Sequence, residues 1–125
     1  MSDIDPNLRK NFVKSFICDI LDNLADFDMV WIQGRIKRIR NKDCVEIFDV
    51  ADSSSVIPIC GLEAIPDRIK GPIGKGIYYQ VLGQVMKNAG DHLKIRTVKF
   101  IPIDDELVQE SWPVEVEEAK AILMN

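Results

Sequence analysis

Histidine is nearly missing from this chain of 125 residues: His92 stands alone, so neither a histidine-based triad nor a multi-histidine metal site can be assembled. Cysteine is scarce too. Cys18, Cys44 and Cys60 are odd in number, lie in apolar contexts and form no CxxC pair, which argues against a disulfide scaffold and against a zinc site. A P-loop, a GxSxG elbow and a GxGxxG following a strand are also absent. No catalytic residue, cofactor or metal is therefore expected, and the chain does not read as an enzyme. Long apolar runs are missing as well: stretches such as 77–82 fall far short of the ~20 residues that span a membrane, and the charged N-terminus is not that of a signal peptide. A soluble, intracellular protein with no membrane contact is expected. Nor is there an excess of positive charge. Lys and Arg number 16 against 20 Asp and Glu, a formal charge of -4 and a pI near 5.0, so attraction for a nucleic acid must come from a local patch.

What is present is globular composition, 46% hydrophobic and 29% charged in 14.2 kDa, enough for one domain with a single core. The middle of the chain reads as short β-branched segments separated by turns. The first is Met29 to Ile36, with Val30, Ile32 and Ile36 on one face and Gln33, Arg35 and Lys37 around the other; Gly34 inside it marks a bend or bulge. Cys44 to Asp49 is the second, with Val45 and Ile47 sharing a face. Ser55 to Cys60 is the third, in which Pro58 argues for an edge or irregular position. Leu62 to Gly76 carries Pro66, Gly71, Pro72, Gly74 and Gly76, so a short helical turn and a loop are expected there. Ile77 to Met86, interrupted by Gly83, is the fourth strand, and His92 to Ile101 is the fifth, with a slip of register between Ile95 and Val98 that suggests another bulge.

Both termini carry helical spacing. Trp112, Val116, Ala119 and Leu123 recur at four, three and four residues, the seam of an amphipathic helix with Glu115, Glu117, Glu118 and Lys120 turned outward. Ser111 or Trp112 would cap it, with Pro113 in the first turn. Leu8, Phe12, Phe16, Ile20 and Leu24 recur every fourth residue, which fits one long helix; an extended Lys14 to Cys18 followed by a short helix capped at Asp19 fits as well. Five strands, a break between the third and fourth, two strand glycines and a terminal helix match a five-stranded OB-fold barrel with a C-terminal α-helix. An SH3-like barrel is the nearest competitor. The single domain divides into residues 14–101, the N-terminal segment and barrel, and 111–124, a helix for a partner.

Among the candidate site residues, Arg35, Lys37, Arg38, Arg40 and Lys42 fall on a strand end and the loop after it. OB domains often use that loop against single strands, although a solvated loop is the plainer reading. A stacking surface is lacking, because Phe48 is the only aromatic in strands two and three. Asp49 and Asp52, in Asp-x-x-Asp-Ser-Ser, have the pattern of a turn that bonds its own backbone rather than of a metal site. Trp31 either packs beneath an N-terminal segment or is exposed for binding. The seam Trp112, Val116, Ala119 and Leu123 either folds back on the barrel or meets a partner helix, and the second is preferred.

The string Met29 to Ile36 resembles the first barrel strand of the RecQ-mediated genome instability protein 2 family. The likeness continues through Phe48-Asp49 with Asp52-Ser53, the segment Cys60-Gly61-Leu62-Glu63-Ala64-Ile65-Pro66, Tyr78 to Gly83, Val98-Lys99-Phe100 and Trp112 to Glu118. It spans residues 14 to 123. The resemblance implies a non-catalytic, nuclear OB-fold subunit that pairs with an OB domain of RecQ-mediated genome instability protein 1. Its further partners would be a topoisomerase III and a Bloom-type RecQ helicase, with a role in double Holliday junction dissolution, DNA repair and genome stability. It further implies that Lys99 and Trp112 dock a short phenylalanine-bearing peptide of a Fanconi-anaemia translocase, and it favours the extended segment over a long N-terminal helix. Little or no direct DNA binding is expected; a single-stranded nucleic-acid-binding OB module, replication-protein-like or telomeric, is the alternative.

Overall fold

The structure, a computed structural model, describes residues 12–22, 29–87, 90 and 92–123, with Leu123 by its backbone alone. Its organising strand is β2, Met29–Ile39. Val30, Ile32 and Ile36 point into the core, as alternation requires, and the strand is long enough to serve two neighbours. Residues Met29 to Arg35 pair antiparallel with β5, Tyr78–Lys87, and Gly34 to Ile39 pair antiparallel with β3, Val45–Asp49. Gly34 lies opposite Asp49 on one side and Tyr79 on the other. A Cβ there would press on the Phe48 carbonyl oxygen and stand 2.6 Å from Ile47 Cγ2, so the strand can change partners only where a side chain is missing.

β3 continues antiparallel into β4, Val56–Cys60, and β4 meets β6, Leu93–Pro102, in a short parallel pairing at Ile59↔Ile95 and Cys60↔Arg96. β6 pairs antiparallel with β5, and the circuit β2-β3-β4-β6-β5 closes on β2. Pro58 fits because the β4–β6 ladder begins only at Ile59, so its missing N–H removes no bond there. The expected slip in the last strand is a bulge: Leu82 faces Lys99 and Gly83 faces Thr97, which leaves Val98 pushed outward and 60% exposed. Gly83 allows the close approach, since a Cβ would stand 2.5 Å from the Arg96 carbonyl oxygen.

The barrel interior holds Val30, Ile32, Ile36, Val45, Ile47, Ile57, Ile59, Tyr79, Val81, Ile95 and Phe100. Tyr79 and Phe100 stack at 4.2 Å. Between β4 and β5 a 3-10 turn, Leu62–Ala64, delivers Leu62 to the core, and a single helical turn follows at Asp67–Lys70.

Two expectations change at the ends. The extended N-terminal segment is β1, Phe12–Lys14, parallel to the start of β2, and the short helix α1 spans Ile17–Asp22, starting before Asp19 rather than after it. The buried carboxylate of Asp49 decides this, because its Oδ2 accepts the Cys18 N–H at 2.8 Å and anchors the helix start while Ile17 and Ile20 enter the core. A continuous helix is excluded over 12–22; Leu8 and Leu24, the ends of that repeat, lie outside the described residues. With the helical turn Asp67–Lys70 as α2, the helix at the other end, α3, spans Glu106–Leu123. Asp105 caps it, with Oδ1 accepting the Leu107 N–H at 2.9 Å, so the expected start at Ser111 or Trp112 is wrong and Pro113 lies in the helix interior.

Candidate partner-binding surface

α3 lies along β1 and the outside of the barrel. Trp112 and Val116 are fully buried and pack with Phe16, with Cys18 and Trp31 against them. The Trp31 and Trp112 rings are 5.8 Å apart at 35°, so Trp31 is half-buried, and the ring against it comes from the C-terminal helix rather than from the expected N-terminal segment. Charged groups close the contact on both sides: Lys14 Nζ meets Glu115 Oε1 at 2.8 Å and sits 4.7 Å from the Trp31 ring, and Lys120 Nζ reaches Asp19 at 3.2 Å and sits 5.9 Å from Phe16. Asp19 raises the Lys120 ammonium above its ordinary value, and burial beside Asp49 pushes the Cys18 thiol up to about 11.

This geometry corrects the reading of the helix seam. Trp112 and Val116 were expected to face a partner, but both are taken up by the chain's own barrel, because Phe16 and Trp31 offer the apolar surface that a tryptophan needs. Ala119 is half-buried, and the side chain of Leu123 lies outside the described residues. The opposite face of α3 is the open one. Leu107 is 74% exposed, Val114 58% and Ile122 75%, and Leu107, Val114 and Ala121 stand seven residues apart among Glu110, Glu117 and Glu118. These three positions share one stripe of the helix, an apolar line between acidic residues.

Lys99 and Trp112 are brought into one neighbourhood. Cross-strand register sets Lys14, Trp31, Leu82 and Lys99 side by side over β1, β2, β5 and β6, with Trp112 tilted against the Trp31 member of the row. Among the described residues, the indole N–H groups of Trp31 and Trp112 are buried without a hydrogen-bond acceptor, a cost ordinarily avoided.

The basic run is largely occupied. Lys37 is the extra residue at a bulge in β2, which places Arg38 opposite Glu46. Arg38 and Arg40 both contact Glu46 Oε2 at 2.6 Å, and their hydrogen bonds hold the buried Glu46 carboxyl below the ordinary carboxylate range. Arg35 donates to the Gly76 carbonyl at 2.8 Å and to Gln109 Oε1 at 3.3 Å, and covers the Tyr78 ring. Lys37 and Lys42 remain exposed. Lys42 borders an open cleft of about 650 Å³ whose lining pairs Lys42 and Lys70 with Glu63 and Asp67, so the cleft prefers neither sign of ligand. Asp52 accepts from Ser54 and Ser55, and Asp49 Oδ1 from the Ala51 N–H. The turn reading of these acids therefore holds, with the Asp49 anchor on α1 added. One juxtaposition went unread in the sequence: Cys44 and Cys60 touch, their sulfurs 2.8 Å apart. Each stands one residue beyond the Val45↔Ile59 pair, so counting the hairpin register would have revealed them.

A closed five-stranded barrel with this strand order and a terminal helix defines an OB-fold protein. Similar solved structures include a chain from a replication protein A heterotrimer bound to ssDNA, with TM-score 0.58 and 16% identity over 78% of this chain and 75% of that one. A chain of the S. pombe Stn1-Ten1 complex gives TM-score 0.58 and 14% identity over 78% and 74%. Entamoeba histolytica asparaginyl-tRNA synthetase gives TM-score 0.51 and 15% identity over 74% and 23%. Such identities show the fold alone. No curated protein matches the chain by sequence. Within the OB class, the chain belongs to the RecQ-mediated genome instability protein 2 family, whose model matches residues 9–120. Its members serve genome stability and are typically non-catalytic.

Proposed function

We propose that the chain is a scaffold subunit that pairs with an OB domain of RecQ-mediated genome instability protein 1, in a nuclear complex with a topoisomerase III and a Bloom-type RecQ helicase that dissolves double Holliday junctions. The observation that carries this reading is the outer face of α3, where Leu107, Val114 and Ile122 remain in water on an otherwise acidic helix already fixed to its barrel. The assemblies named for two of the fold relatives, a heterotrimer and a Stn1-Ten1 complex, support association of OB chains in general. The partner helix lies across Leu107 and Val114, and the buried seam of Trp112 and Val116 holds α3 in place for it.

The test is the double variant Leu107→Asp, Val114→Asp. Two carboxylates desolvated at the interface cost several kcal/mol each, so capture of RecQ-mediated genome instability protein 1 is lost while circular dichroism is unchanged. Retained capture by the folded variant places the interface elsewhere. A second role on the same molecule is supported by the row Lys14, Trp31, Leu82 and Lys99: a phenylalanine-bearing peptide of a Fanconi-anaemia translocase docks there against the exposed Lys99, while Trp112, fully buried, supports the row from beneath rather than touching the peptide. Lys99→Ala weakens that peptide about tenfold in a titration, in keeping with ~1.4 kcal/mol for one charged contact, and leaves the heterodimer intact.

A further inference from the structure

From the Cys44 and Cys60 geometry we infer that these two thiols form a reversible cross-strand dithiol site, oxidised to an intramolecular disulfide by a low-molecular-weight disulfide. Each residue stands one position beyond the last β3–β4 pair, Val45↔Ile59, so strand alternation turns both side chains away from the face that Val45 and Ile59 bury. Directly opposed strand residues have Cα separations that a disulfide accepts, and the sulfurs already lie 2.8 Å apart against a covalent length of ~2.05 Å. The two sulfurs are therefore already within reach of each other.

The loops at that end hold the pair together. Asp43, next to Cys44, accepts the Gly61 N–H at 3.2 Å and the Glu63 N–H at 3.1 Å, and its carbonyl accepts the Leu62 N–H. The Cys44 carbonyl accepts from Arg40 and Asn41. These bonds clamp the residues on either side of both cysteines, so bringing the thiols together costs little additional ordering.

The two thiols are not equivalent. Cys60 is half-exposed and Cys44 is buried; burial, with the Cys60 contact, pushes the Cys44 thiol up to about 12. Cys60 therefore reacts first. Its thiolate attacks one sulfur of the external disulfide, forms a mixed disulfide and releases one thiolate. Cys44 then attacks the Cys60 sulfur, losing its proton, and expels the second thiolate. The S–S bond of the reagent is reduced to two thiols, which take up the two protons, while Cys44 and Cys60 are oxidised by two electrons. Cys18 stands apart, packed with Trp112 and Phe16.

The full chain is reduced, equilibrated with glutathione and glutathione disulfide in varied ratio, alkylated and analysed by intact and peptide mass spectrometry. The expected product is lighter by two hydrogens, carries a Cys44–Cys60 linked peptide, keeps Cys18 alkylated and reverts on reduction. The Cys44→Ser variant, with circular dichroism of the parent, instead accumulates the glutathione adduct at Cys60. Stable adduct at Cys60 in the parent, linkage involving Cys18, or linkage only under denaturing conditions overturns the proposal.

Discussion

Single residues decide two features of this protein. Gly34 and Gly83 are required by contact, since a methyl at either position would meet backbone and a core isoleucine at once. Gly34→Ala and Gly83→Ala are each expected to cost 1–3 kcal/mol, about the range for overpacking, measurable as a fall in urea midpoint. Glu46 gathers the guanidinium groups of Arg38 and Arg40 and is itself buried. Because its folded pKa lies below the unfolded one, its contribution is complete above the ordinary Glu value of about 4.5 and disappears as pH falls through the depressed folded value. Glu46→Gln should therefore lower stability at pH 7 by about 1 kcal/mol, allowing for the solvent around both arginines, and the gap from the parent should shrink below pH ~4 in denaturation curves taken across pH.

Among the elements, α3 combines an unfavourable residue with a strong anchor. Pro113 inside the helix removes a hydrogen bond and crowds the preceding turn, yet the helix persists from the Asp105 cap to Leu123. Burial of Trp112 and Val116 against Phe16 outweighs the loss. Trp112→Ala should destabilise the whole domain by 3–5 kcal/mol, roughly the cost of deleting a buried tryptophan, with helix signal and barrel melting together in thermal circular dichroism. Independent melting of the helix would show that the seam adds little. Pro113→Ala should raise the midpoint, with a gain of about 1–2 kcal/mol once the greater freedom of the unfolded chain is deducted.

For the molecule as a whole, charge argues against affinity for single strands. The formal charge is -4, and Glu46 neutralises part of the one basic run. The parent chain is expected to show no micromolar binding to a labelled oligonucleotide at moderate salt in fluorescence anisotropy. Glu46→Gln, which releases Arg38 and Arg40, should bind more tightly than the parent at low salt and lose that gain steeply as salt rises. Micromolar binding by the parent at moderate salt would favour the alternative reading, a nucleic-acid-binding OB module.

The sequence by itself determined the strands and the barrel. Alternation in Val30, Ile32 and Ile36, the paired Val45 and Ile47, and the interrupting glycines are local signals with a period of two, and they survive in the fold almost unshifted. The Asp-Ser turn was legible for the same reason. What the tertiary structure decided were matters of partner. A helical repeat at Trp112, Val116 and Ala119 states that a face will be buried, but not against what, and only the nearness of Phe16 and Trp31 turned it inward and left Leu107 and Val114 outside. Asp49 reached across 31 positions to set the start of α1, and Glu46 drew in Arg38 and Arg40. Such contacts depend on strand pairing between distant segments, and a one-residue slip in register would send each of those side chains to the other face.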